Sequence, residues 1–285
     1  MKKIIYTILF FTSLSVCFSV QINAQGDIFL FPKRVVFEQD KRTEIINLAN
    51  SGTDTVIYSV SFVQIRMNEN GSFENISVAD SNQFFADPFI RFHPRTVTLA
   101  PGESQVVKLQ ITGTNSLAVG EYRSHLYFRS EPANNPIKSV NTMEDTSSIL
   151  FQLIPVYGMT IPTIIRIGEP EVSVELSNLT FQRDKDLKPN IRLHFNRIGN
   201  KSVYGDITVN HLSPEGILTQ VGEVIGFAVY TPGALRKCVI NLTEPEEVDF
   251  SSGEIIVVYS PPRNSHNFER VEATLTLGRY FTRSK

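Results

Sequence analysis

Cysteine is nearly missing from this 285-residue chain: only Cys17 and Cys238 occur. Beyond the first two dozen residues Cys238 stands alone, which excludes an internal disulfide there. A chain without such staples needs a core that stands by itself, and about 260 residues allow one, most naturally as two domains. Charge of one sign is lacking too. Lys and Arg number 27 against 29 Asp and Glu, a formal charge of −2. No basic footprint for nucleic acid exists at that balance. After the first residues no run reaches the eighteen or so apolar positions of a membrane helix, and no stretch has a helical apolar period. Catalytic patterns are absent as well. His93, His125, His194, His211 and His266 are scattered, without the HxxxH or CxxC spacing of a zinc site. There is no GxSxG turn and no GxxxxGK[ST] loop. Asp184-Lys185-Asp186 lacks the ligand ladder of a calcium loop and reads as a solvated hairpin tip. Cys238, alternating with Val239 and Ile240, reads as a core thiol. No catalytic residue, cofactor or metal ligand is assigned, and the chain does not read as an enzyme.

The chain opens MKKIIYTILFFTSLSVCFSV, a basic pair and then an apolar run, with the small Ala24 shortly after. That layout predicts a secretory signal peptide over residues 1–24 and export of the remainder. Loss of Lys2 and Lys3 with it, and of no acid, moves the formal charge from −2 to −4.

From Asp27 on, short alternating or β-rich runs recur between turn signals: IFLFPKRVVF (28–37), TEIINLAN (43–50), TVIYSVSFVQIRM (55–67), FIRFHP (89–94), QVVKLQIT (105–112) and EYRSHLYFRS (121–130). Asn70-Gly71 and Pro101-Gly102 punctuate them, since Asn and Gly tolerate positive φ and Pro presets its own. Residues 131–146 read as a long polar loop. Beyond Gly168 and Pro170 a second series of β runs extends to 281. The expectation is an all-β chain of two β-sandwich domains, over 25–166 and 167–285.

The stretch the rest is organised around is SSILFQLIPVYGMTIPTIIR, residues 147–166. It carries Pro155 and Pro162, which exclude a helix interior and a central strand. It therefore reads as a long edge strand, with Phe151, Leu153, Pro155 and Tyr157 on one face. No charge occurs between Asp145 and Arg166. Soluble proteins normally blunt so apolar an edge with charge. Either its own fold covers it, or pairing with another chain is its purpose.

In layout the chain resembles the PapD-like periplasmic chaperones of the chaperone–usher pathway, which assemble pili. FPKRVVF (31–37), TEIINLANSGTDTVIYSVSF (43–62), FHPRTVTLAPGESQVVKLQI (92–111) and GEYRSHLYFRSEP (120–132) carry the resemblance, in that order and spacing. It implies two immunoglobulin-like domains joined by a short hinge in a boomerang-like arrangement, and a periplasmic location. It also implies a partner: an incomplete sandwich, a pilus, fimbrial or other surface subunit, completed by the donated edge strand. An outer-membrane usher is the further partner implied, and self-association through the free edge is open to the unoccupied protein. Arg34 matches the family arginine that grips the subunit's terminal carboxylate. The family's second cation, a lysine, falls at or near Pro162 here and has no counterpart. Arg166 matches an arginine that ties the domains together; Arg123 stands where its acidic partner is expected, and Glu121 on the same face can serve. The alternative is a structural two-sandwich envelope or surface module without strand donation.

Overall fold

The computed structural model of the chain describes residues 28–38, 41–132, 156–263, 265 and 267–278. Among these the one helical element is the short 3₁₀ turn Asp87–Phe89; the other regular elements are strands. Eleven come first: β1 Ile28–Phe31, β2 Val35–Phe37, β3 Thr43–Asn50, β4 Val56–Val63, β5 Ile65–Met67, β6 Phe73–Asn75, β7 Ile90–His93, β8 Thr96–Leu99, β9 Ser104–Ile111, β10 Gly120–Glu131 and β11 Gly158–Ile167. One sheet has the order β1-β3-β9-β7 and another the order β2-β11-β10-β4-β8, while β5 and β6 form a separate hairpin. Alternate residues of both sheets meet in one core that includes Ile46, Leu48, Val107, Leu109, Val60, Leu126, Phe128 and Ile165. The period of two along each run produces this, because successive side chains leave opposite faces of a strand. Each fully buried aliphatic or phenyl side chain contributes about 1.5–3 kcal/mol by leaving water.

The run 28–37, expected as one strand, is two. Pro32 has no N–H to give a ladder. The chain leaves the first sheet after Phe31 and enters the second at Val35, where β2 lies parallel to β11.

The second series comprises β12 Val172–Arg183, β13 Pro189–Gly199, β14 Val203–Leu212, β15 Leu218–Val229, β16 Leu235–Asn241, β17 Glu254–Ser260 and β18 Val271–Thr276. They form a sheet β12-β13-β16 facing a sheet β15-β14-β17-β18. A three-plus-four division of seven strands is that of a constant-type immunoglobulin sandwich. Here the fourth strand of the series, β15, lies beside the third. A core of Ile191, Leu193, Phe195, Ile207, Val209, Val257 and Tyr259 fills the space, with Cys238 packed at its margin. Burial pushes that thiol up to about 11, so it stays protonated at neutral pH.

Candidate functional site

The site lies where the two sandwiches meet, and β10 positions it. That strand is buried on both faces from Gly120 to Leu126. Tyr122, Leu126 and Phe128 point into the first core. Glu121, Arg123 and His125 point the other way, and they are 3%, 2% and 2% exposed. Their cover comes from the second sandwich.

The pairing registers turn this face into a grid. β10 sets His125 opposite Pro162, Arg123 opposite Ile164 and Glu121 opposite Arg166. β2 sets Val36 opposite Ile164; stepping two residues each way along the same parallel register brings Arg34 beside Pro162 and Glu38 beside Arg166. Three rows result: Arg34, Pro162, His125; Val36, Ile164, Arg123; Glu38, Arg166, Glu121.

The third row binds the sandwiches together. Arg166 Nε donates to Glu121 at 3.2 Å, and its Nη1 donates to Glu38. Glu121 also accepts from the Ser202 backbone N–H at 3.0 Å, the Ser202 hydroxyl and the Thr231 hydroxyl at 3.3 Å. Burial pushes the Glu121 carboxyl up, but Arg166, then Arg34 and the Ser202 donors, outweigh it and hold it below its ordinary range. Ionised, fully buried and supplied with four donors, it meets the condition under which a buried charge is tolerated. In the second row Ile164 packs with Ala228 and Tyr230 of the second sandwich.

The first two rows hold two further cations, Arg34 and Arg123, neither of which forms a direct ion pair among the described residues. Arg34 leaves the chain between β1 and β2 and lies over two rings, 4.9 Å from the Tyr204 centroid and 5.4 Å from that of Tyr230. Its Nη1 is 3.4 Å from the Tyr230 hydroxyl, while its buried Nη2 has no acceptor among the described residues. Arg123 lies 4.6 Å from the same Tyr230 centroid. It donates from Nη2 to the Thr231 carbonyl at 3.0 Å and from Nη1 to the Ile65 carbonyl at 3.4 Å. Its Nε is buried without an acceptor. Burial, then Arg123, then Arg34 push His125 well below its ordinary pKa, so the imidazole beside them is neutral at pH 7.

A wall from the first sandwich closes one side. The β5–β6 hairpin reaches the edge of β16, where the Lys237 N–H donates to the Glu69 carbonyl at 2.6 Å and the Lys237 ammonium pairs with Glu69 at 2.7 Å. Phe73 of this hairpin stands about 6 Å, ring to ring, from His125 and Tyr230.

The edge strand differs from its expected extent. Phe151, Leu153 and Pro155 lie outside the described residues. Tyr157 is described; it is exposed and precedes β11, exchanging hydrogen bonds of 2.8 Å with Ser130. β11 runs from Gly158 to Ile167. It is not an edge throughout, because Thr163–Ile165 lie between β2 and β10. From Gly158 to Pro162 it pairs with β10 on one side, and no described strand pairs on the other. Tyr204, Tyr230, Ser202 and Thr231 enter the site with no signal in the sequence. Arg123 had one: a charged residue alternating with the core-facing Tyr122 and Ser124 in a β run.

No family model and no curated protein matches the chain. Among solved structures it is similar to fimbrial chaperones. The YadV chaperone is 12% identical over 88% of this chain and 100% of that one, with a TM-score of 0.42. The E. coli chaperone DraB is 12% identical over 86% and 95%, TM-score 0.40. A complex of the Salmonella enterica SafA pilin with the SafB chaperone gives 12% over 87% and 96%, TM-score 0.41. At such identities and scores, superposition assigns no residue a role.

Proposed function

We propose that this protein is an exported, periplasmic assembly chaperone that holds incomplete β-sandwich subunits of a fimbria or other surface structure. It does so by lending them the edge of residues 147–162, and Arg34 anchors the subunit's terminal carboxylate. The observation that carries the reading is the edge itself: β11 offers an uncharged ladder from Gly158 to Pro162 with one side unpaired among the described residues. Main-chain pairing supplies affinity in strand addition, and alternate side chains supply fit. Upstream, Phe151, Leu153, Pro155 and Tyr157 are the side chains assigned to insert.

The register of β2 on β11 supports a parallel direction for the incoming strand. β2 already lies parallel to β11 on that side, and Arg34 stands at the head of β2 beside Pro162. A strand ending at Arg34 continues the line of β2 backwards, and so runs parallel to β11. A guanidinium suits the end of such a strand because it offers two parallel donors to a carboxylate. The third row keeps the two sandwiches in register around that point. Glu121 and Arg166 are the tie of this proposal.

The experiment is co-purification with a candidate subunit, a small secreted β-rich protein co-expressed with this chain. Phe151→Asp with Leu153→Asp is expected to cut complex yield at least tenfold while leaving the thermal midpoint in place. Unchanged yield ends the strand-donation reading and leaves a structural two-sandwich module.

A further inference from the structure

We infer that the β5–β6 hairpin is a latch: its tip hooks onto the edge of β16 in the second sandwich and, together with the third row, holds the two sandwiches at one angle. Such a latch acts within one molecule, whether or not an edge strand is lent.

The hairpin is built as an arm. Its two strands pair with each other and with neither sheet of the first sandwich. Its turn is braced from within. The Gly71 N–H donates to the Asn68 carbonyl, the Asn68 N–H to the Ser72 carbonyl and the Ser72 N–H to Asn70 Oδ1, each at 2.9 Å. Gly71, at φ 82°, takes the left-handed conformation that the turn requires.

The tip grips β16 in three ways. The Lys237 N–H donates to the Glu69 carbonyl at 2.6 Å, and the Lys237 ammonium pairs with the Glu69 carboxylate at 2.7 Å. This N–H is free to do so. Main-chain bonds from Arg197 to Ala234 and from Leu242 to Pro189 commit the even-numbered residues of β16 to β13, so the odd-numbered ones face the other edge. Close approach is the third grip. A β-carbon on Gly71 would lie 2.8 Å from Arg236 Nη2 and 2.9 Å from its Nε. That guanidinium has little room to yield, because its Nη1 donates to the Ala228 carbonyl and it stacks 3.8 Å from the Phe227 centroid. Below the tip, Met67 packs on Ile164, Ala228 and Tyr230.

Position makes this arm a latch. The third row lies at one end of the grid. Phe73 stands beside His125, in the row at the other end, four strand residues or about 13 Å away. Two domains that touch over a modest interface move relative to each other by default. A second grip at the far end removes that pivot. The tip itself adds one main-chain bond and one exposed ion pair, few enough to part while both cores stay folded.

The test reads the angle. The protein, purified from the periplasm of an expression host, carries nitroxides at Gln105→Cys and Thr274→Cys, exposed positions in the two sandwiches, with Cys17→Ser and Cys238→Ser. Double electron–electron resonance gives the spread of distances between them. Asn tolerates positive φ, so Gly71→Asn keeps the turn while driving a side chain into Arg236. It is expected to widen the distribution at least twofold, and adding Arg236→Ala, which clears the space, to narrow it again. Lys237→Pro removes both the N–H and the ammonium, spares the β13 ladder and is expected to widen the distribution too; it decides if Gly71→Asn fails to fold. A distribution that stays narrow in both single variants overturns the latch and leaves the third row to set the angle. A wide one in Gly71→Asn that Arg236→Ala leaves wide overturns it as well, because damage to the turn, rather than loss of its grip, would then be the cause.

Discussion

β11 is one strand made from one β-branched run, yet its two halves live in different surroundings. Thr163, Ile164 and Ile165 are hydrogen-bonded on both edges, to β10 and β2, and buried on both faces, against the first core and against the second sandwich. From Gly158 to Pro162 the strand has β10 on one edge and no described partner on the other, and Gly158 and Thr160 are exposed. The closed half fixes the angle between two sandwiches; the open half offers what a sheet edge offers any strand. Joining them in one strand means the open ladder starts from a rigid base, which lowers the ordering cost a partner meets. The two halves meet at Pro162, beside Arg34, and there the proposed anchor sits.

The sharpest way to separate the halves is to shorten a side chain in each. Ile165 is fully buried in the first core, so Ile165→Ala is expected to cost about 2–5 kcal/mol through lost burial and the cavity left. Thr160→Ala, on the exposed stretch, is expected to stay within about 0.5 kcal/mol. Urea unfolding of both variants measures the contrast, and equal losses would mean that the open half is covered.

Acid separates them less strongly. The depressed pKa of Glu121 gives stability that is present above the unfolded carboxylate range and lost as pH falls through the lower, folded value. His125 acts with the same sign at higher pH. Its folded pKa lies well below 6.5, so the unfolded chain takes up the proton first and stability declines as pH drops below about 6.5. Each such proton changes stability by at most about 1.4 kcal/mol per pH unit. Lowering pH from 7 towards 3 is therefore expected to speed amide exchange at Ile164–Ile167 relative to its rate at 7, after correction for intrinsic exchange. Gly158–Thr160 should change less. His125→Gln should flatten the upper part of the profile.

Much of this fold was legible because strand period and turn chemistry are local. The alternation in 43–50, 105–112 and 121–130 places the residues that face the first core, and Asn70-Gly71 marks the β5–β6 turn, with Gly71 at φ 82°. What escaped depends on pairing between distant segments. The run 28–37 looks like one strand, because nothing in its composition says that it changes sheets at Pro32. The edge reading of 147–166 weighs Pro162 and the absent charge, but it cannot see the three residues of β2 that close one side of 163–165. Within the site, the family resemblance singles out Arg34, Arg166 and Glu121. Tyr230 and Thr231, more than a hundred residues from Arg123, are ordinary residues until the two sandwiches meet.

A variant with little expected effect on stability carries the most information about the open half. Proline has no N–H, so the ladder position at Pro162 faces away from β10 without cost to the strand. Successive N–H groups alternate between the two edges, and the N–H of Thr160 therefore faces the open side too. Thr160→Pro removes that donor and leaves the β10 ladder whole. Its stability cost is expected to stay below about 1 kcal/mol, since φ of an extended residue suits the ring. An incoming parallel strand, by contrast, loses a hydrogen bond and meets the ring where its backbone must approach. Complex yield with a subunit is expected to fall several-fold, while thermal unfolding barely moves. If stability collapses instead, the N–H of Thr160 was already in use within the molecule, and the two halves of β11 are not the contrasting pair their surroundings indicate.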